Sequence, residues 1–120
     1  MNQFASIIDT HLHGTCEPDP TKRAELLRSV WHVEGELLDP PMSGIGPEQI
    51  AQLVAVLSRY PAYQFTRTSD IDTHHDHARY SWNRTARDGI IAVSGLDSAT
   101  ITDNRLSRII GFFGELAVKQ

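Results

Sequence analysis

The sequence holds a single cysteine, Cys16, in 120 residues. No intrachain disulfide can form and no thiolate cluster can hold a metal, so a reducing, cytoplasmic compartment is expected. Basic residues are scarce as well: 11 Lys and Arg against 15 Asp and Glu leave a formal charge of -4 at pH 7. That is the wrong sign for affinity built on neutralising phosphates, and no nucleic-acid partner is expected. Long apolar runs are missing. The longest, Leu53 to Leu57, cannot span a bilayer, and the segment Met1 to Asp9 has no basic residues ahead of its apolar ones, so neither a membrane partner nor a targeting signal is expected. Also absent are a glycine-rich phosphate loop, a nucleophile elbow and an HExxH pair. No repeat, linker or low-complexity run divides the chain, and its length is that of one domain, residues 1–120.

Hydrophobic spacing supplies the elements. Phe4, Ile7, Ile8 and His11 recur at helical spacing before the stretch from Gly14 to Pro20, which predicts a short first helix. Asp19 followed by Pro20 reads as an N-cap with proline at the first helical position, and Ala24, Leu27 and Trp31 continue one stripe. Trp31 to Asp39 then alternates, with Val33, Gly35, Leu37 and Asp39 on one side, until Pro40-Pro41 ends the strand. A third helix opens at Pro47 with Ile50, Leu53, Val54 and Leu57 on its apolar face. From Ala62 the period is two: Tyr63, Phe65 and Ile71 alternate with polar residues, and Ala78, Tyr80 and Trp82 do the same. Asp88-Gly89 and Asp103-Asn104 are hairpin turns around the strands Ile90 to Thr102 and Arg105 to Gly114. Three helices with one early strand, followed by a four-strand meander, describe an α+β domain in which a curved, mostly antiparallel sheet packs against helices.

Several polar residues fall in apolar places. Asp97 interrupts the row Ile91, Val93, Gly95, Ala99 and Ile101 on one strand face. Desolvated there, it becomes a neutral acid able to donate a hydrogen bond; a register slip at Gly95 would instead leave it at the rim. Asp39 shares the parity of Leu37 at a strand end, either as a second pocket carboxylate or as a turn residue before Pro-Pro. His11 lies on the buried stripe of the first helix, as an acid/base group or as a core histidine. Phe65, Tyr80 and Trp82 line a cavity or fill the core; alternation does not separate the two. His75 and His77 stand two apart, a spacing that can bind one ion. No third ligand is evident, their face is polar, and no metal is expected.

The segments Asp19-Pro20-Thr21-Lys22-Arg23, Leu38-Asp39-Pro40, Gly46-Pro47-Glu48-Gln49-Ile50, Tyr80-Ser81-Trp82, Asp88-Gly89, Gly95-Leu96-Asp97 and Arg108-Ile109-Ile110-Gly111-Phe112-Phe113 occur in an order that resembles the nuclear transport factor 2-like superfamily, SnoaL-like branch. The resemblance runs nearly end to end. It implies three N-terminal helices on a strongly curved sheet forming a cone with an internal pocket, usually as a homodimer. The superfamily includes ketosteroid isomerase, polyketide cyclases, scytalone dehydratase, limonene epoxide hydrolase and noncatalytic binding proteins, so the fold does not by itself give the function. By resemblance, Asp39 is similar to the isomerase's general base and Asp97 to its protonated oxyanion-hole acid. One departure is plain: the isomerase's oxyanion tyrosine belongs on the first helix, and Phe4 to Leu12 contains no Tyr. Ile8 and His11 occupy that region.

The expectation is a cofactor-independent isomerase, cyclase or hydrolase acting on a small, largely apolar molecule. Asp39, Asp97 and His11 are its candidate catalytic residues, and Ile8, Trp31, Phe65, Tyr80, Trp82 and Phe113 its candidate pocket lining. The alternative is a noncatalytic ligand-binding or dimeric interaction module of the same fold.

Overall fold

A computed structural model describes residues 3–56 and 64–119. Helix α1 spans Gln3–Cys16, α2 Pro20–Val30 and α3 Gly46–Ala55; the strands are β1 Trp31–Asp39, β2 Met42–Ile45, β3 Gln64–Arg67, β4 Asp72–His74, β5 His77–Thr85, β6 Ile91–Thr102 and β7 Arg105–Phe113. The sheet runs β2-β1-β7-β6-β5-β3, with β4 also paired to β5. Among the described residues only the β1–β7 pairing is parallel. The three helices pack on one face of this curved, unclosed sheet, in an α+β cone. Among the described residues no helix is long and apolar enough to cross a membrane.

The first helix does not stop at Gly14. A Cβ there would lie 3.0 Å from a methyl of Leu27, so the glycine permits α1 and α2 to approach closely and the helix continues to Cys16. Asp19 caps α2 as its sequence requires, accepting from the amides of Thr21 and Lys22. Arg23, almost fully buried, donates to the carbonyls of Glu17 and Pro18 and so ties down the link between the two helices. Beyond Pro40-Pro41 the chain returns as β2, a strand that alternation over four residues does not reveal. Leu57, Pro61, Ala62 and Tyr63 lie outside the described residues.

The alternation read from Ala62 onward does not make one long strand before β5; the described residues hold two short ones there. β3 and β4 both pair with β5, and between them Thr68 donates to the carbonyl of Ser81. His75 sits in the β4–β5 turn at φ 52°, so it does not share a strand face with His77. Asp103 and Asn104 both take positive φ, as a two-residue hairpin demands. The core fills the concave side of the sheet. Ile8, Leu27, Trp31, Leu37, Ile50, Tyr80, Leu106 and Ile109 are its largest fully buried side chains.

Candidate active site

The site is built on the inner face of three adjacent strands. Tyr80 of β5 lies directly across from Asp97 of β6, which in turn faces Gly111 of β7. On the other side of β7, Leu38 is registered with Ile110, which brings Asp39 beside Gly111. Two carboxyls 58 positions apart in sequence therefore meet over one residue that has no side chain. A Cβ at Gly111 would lie 3.0 Å from Asp97 Oδ1 and would collide outright with Asp39 Oδ1. A bulkier residue would have to displace the Asp39 carboxylate.

Asp97 is buried, with 4% of its surface exposed, and both its oxygens are engaged. The Tyr80 hydroxyl donates to Oδ2 at 2.7 Å and the Trp82 indole N–H donates to Oδ1 at 2.9 Å. Burial raises its pKa to about 7, helped by the nearby Asp39 charge and opposed by the two donors. Burial also raises the pKa of Asp39, and its Oδ1 has no hydrogen-bond partner among the described residues. Tyr80, buried beside Asp97, is pushed well above the usual phenol range, so it remains a donor.

The β6 register runs straight through Gly95; the irregularities lie at Thr100/Ile101 and Arg84/Thr85. Gly95 serves a packing purpose, because any Cβ there would collide with the Trp82 ring. The absent side chain lets the indole lie across the strand and reach Asp97. Trp82 also packs tilted against Phe65 at 5.2 Å and edge-on against Phe113 at 5.6 Å between ring centroids. Phe65 is half-buried and Phe113 is 47% exposed, so this aromatic row leads from the core toward solvent.

His11 belongs to a different set of contacts. Its Nδ1 accepts the Trp31 indole N–H at 3.1 Å, and the two rings meet edge-on. An accepting Nδ1 places the proton on Nε2, and burial lowers the pKa to about 4, keeping the ring neutral. Ile8 and Trp31 are fully enclosed core residues. Of the residues singled out in the sequence, Asp39, Asp97, Tyr80, Trp82, Phe65 and Phe113 come together. His11, Ile8 and Trp31 form the adjoining core. Sequence reasoning missed the donor roles of Tyr80 and Trp82 and the part played by Gly111. The available signal was Gly111 itself, a glycine on the inner side of an otherwise bulky strand.

No protein-family model and no curated relative matches the sequence. Solved structures do. A SnoaL-like family protein from Agrobacterium tumefaciens, described as a candidate isomerase, superposes with a TM-score of 0.87 at 28% identity, over 96% of this chain and 100% of that one. The chain has the cone fold of the SnoaL-like, nuclear transport factor 2-like proteins. Two further likenesses are in the fold alone. A candidate ketosteroid isomerase from Kribbella flavida has a TM-score of 0.70 at 16% identity, covering 98% and 82% of the two chains. A candidate SnoaL-like polyketide cyclase from Jannaschia has 0.68 at 15%, covering 91% and 85%.

Proposed function

We propose that this SnoaL-like protein is a cofactor-independent acid–base enzyme for a small, neutral, largely apolar molecule held in an internal pocket, with Asp39 as base and Asp97 as acid. The observation that carries the reading is the convergence of Asp39 Oδ1 and Asp97 Oδ1 on Gly111. Burial raises both carboxyl pKa values, that of the more enclosed Asp97 to about 7. Two carboxyls whose environments separate their pKa values divide the roles of acid and base.

In the simplest cycle a carbonyl or enol oxygen of the ligand accepts the Asp97 proton as a hydrogen bond. Asp39 takes a proton from the adjacent carbon, and the electron pair of that C–H bond moves toward the oxygen. Return of the proton from Asp39 to another carbon completes an isomerisation, with no net gain or loss of atoms. A cyclisation or an epoxide hydrolysis uses the same pair. Tyr80 and Trp82 are positioning residues that fix the Asp97 carboxyl, and Phe65, Trp82 and Phe113 supply the apolar wall. His11 acts at a distance, holding Trp31 in the wall of the core.

The pair is tested with a panel of neutral cyclic enones, enols and epoxides, products being followed by mass spectrometry. Asp39→Asn should reduce turnover by roughly 10²–10⁴-fold while ligand binding persists; unchanged turnover would remove Asp39 from the mechanism. Binding without turnover is favoured by one observation: both Asp97 oxygens already accept bonds from the protein. Saturable binding with no product from the wild type would decide for it. We further infer a homodimer, supported by Leu96 and Phe112, which face each other across β6–β7 on the outer side of the sheet and are 39% and 59% exposed.

A further inference from the structure

The β4–β5 hairpin carries a cluster that the active site does not use. His74 and His75 bring their Nδ1 atoms to 3.1 Å, with rings edge-on and centroids 5.4 Å apart. The cause is the turn. His75 takes φ 52°, a left-handed backbone that non-glycine residues rarely adopt, and this turns its ring onto that of the preceding residue. His74 is also 6.0 Å, ring to ring, from His77, its partner across the hairpin. His77 Nδ1 is engaged with Thr100 Oγ1 at 3.2 Å, which leaves His74 and His75 as the pair whose Nδ1 atoms face each other.

We propose that His74 and His75 form an open two-imidazole site for one borderline divalent transition-metal ion, such as Cu²⁺ or Zn²⁺. Two nitrogens 3.1 Å apart, each about 2.0–2.1 Å from an ion, subtend roughly 95–100° at that ion, between the octahedral and tetrahedral values. A hydrogen bond between the two Nδ1 atoms needs a proton on one of them. When the ion enters, the ring that carried that proton on Nδ1 carries it on Nε2, both Nδ1 lone pairs face the metal, and no proton is lost overall. Imidazole donors suit copper, nickel and zinc. Among the described residues no group of three or more His, Cys, Asp or Glu is arranged to hold an ion, so water fills the remaining positions. His74 also borders a groove of about 350 Å³ whose lining includes Asp72, His77 and Ser98. Asp76 in the turn adds negative charge, while Asp72 is already paired with Arg79 at 2.8 Å.

The test is calorimetric titration of the whole protein with zinc chloride and with copper(II) chloride, alongside ¹⁵N imidazole NMR with zinc. The expected result is one ion per chain, with the nitrogen resonances of His74 and His75 moving together. His75→Asn should weaken binding roughly tenfold or more, because asparagine accepts positive φ but supplies no imidazole. An unchanged melting temperature without metal shows that this loss is not unfolding. His13→Gln, which removes an exposed histidine on α1, should leave binding unchanged. Equal affinity in the wild type and His75→Asn, or no heat and no imidazole shift in the wild type, would overturn the proposal.

Discussion

His11 and Asp97 should oppose each other in the pH dependence of stability. His11 is held neutral with a pKa of about 4 against 6.5 when free. Below pH 6.5 the unfolded chain takes up a proton that the folded chain refuses, so the fold loses stability as pH falls from 6.5 to 4. The full effect is about 3 kcal/mol at 1.36 kcal/mol per pH unit. Asp97 behaves in the reverse sense. Its pKa of about 7 against 3.8 when free means that the folded chain binds the extra proton between those values. Stability therefore falls as pH rises from 3.8 to 7, by about 4 kcal/mol in full. Between about pH 4 and 6.5 the folded state holds its proton on Asp97 and the unfolded state holds one on His11. The two slopes cancel, and the pair leaves the wild-type profile flat there. Asp39, whose pKa burial also raises, tilts the profile slightly toward greater stability in acid.

Asp97→Asn removes one side of this balance while keeping a neutral side chain, since the Tyr80 hydroxyl can rotate to accept from the amide. Relative to the wild type, the variant should lose about 3 kcal/mol between pH 6.5 and 4. It should gain relative stability above pH 7, where the wild type must bury a charged Asp97. Urea unfolding at half-unit pH steps, followed by the fluorescence of the buried Trp31 and Trp82, measures both profiles. The difference between them cancels the surface groups common to both. A difference that does not change with pH would refute the burial argument for Asp97, and with it the acid role.

Two other outcomes follow from the packing. Gly111→Ala should cost about 1–3 kcal/mol, because its Cβ must displace the Asp39 carboxylate; thermal unfolding with wild-type stability would show that the site is not closed as described. Trp31→Phe removes the donor to His11 and leaves a buried Nδ1 unpaired, a cost of about 1–3 kcal/mol. In that variant the His11 ring nitrogens, read by NMR, should report the lost bond.

The parts of the fold that the sequence disclosed are those set by local chemistry. Asp19-Pro20 started a helix, Pro40-Pro41 ended a strand and Asp103-Asn104 made a hairpin, each through its own backbone preferences. The inward aim of Asp39 and Asp97 was legible too, since side chains alternate along a strand and one parity carried the apolar residues. Gly14, read as a break, and Gly95, where a register slip was left open, are contact points whose partners, Leu27 and Trp82, lie elsewhere in the sequence. The split between β3 and β4 was hidden because pairing with β5, not composition, decides it. Likewise His11 was recognisable as buried, but its bond to Trp31 depends on the angle between a helix and a strand that no periodicity encodes. The Tyr80 and Trp82 donors needed the strand register before their bonds to Asp97 could be drawn.

The placement of β7 bears on when during synthesis Asp39 and Asp97 can meet. It is the last strand along the described chain, yet it lies between β1 and β6 in the sheet. A nascent chain that has emerged only through β6 holds both aspartates but nothing to set them side by side. Asp39 then ends a strand without its neighbour, and Asp97 lacks the glycine against which both acids converge. Closing β7 into this gap joins the earliest strand to the latest ones, a long-range pairing of the kind that forms late and slowly. Newly made protein acquires its candidate chemistry at the same moment that it acquires its finished sheet.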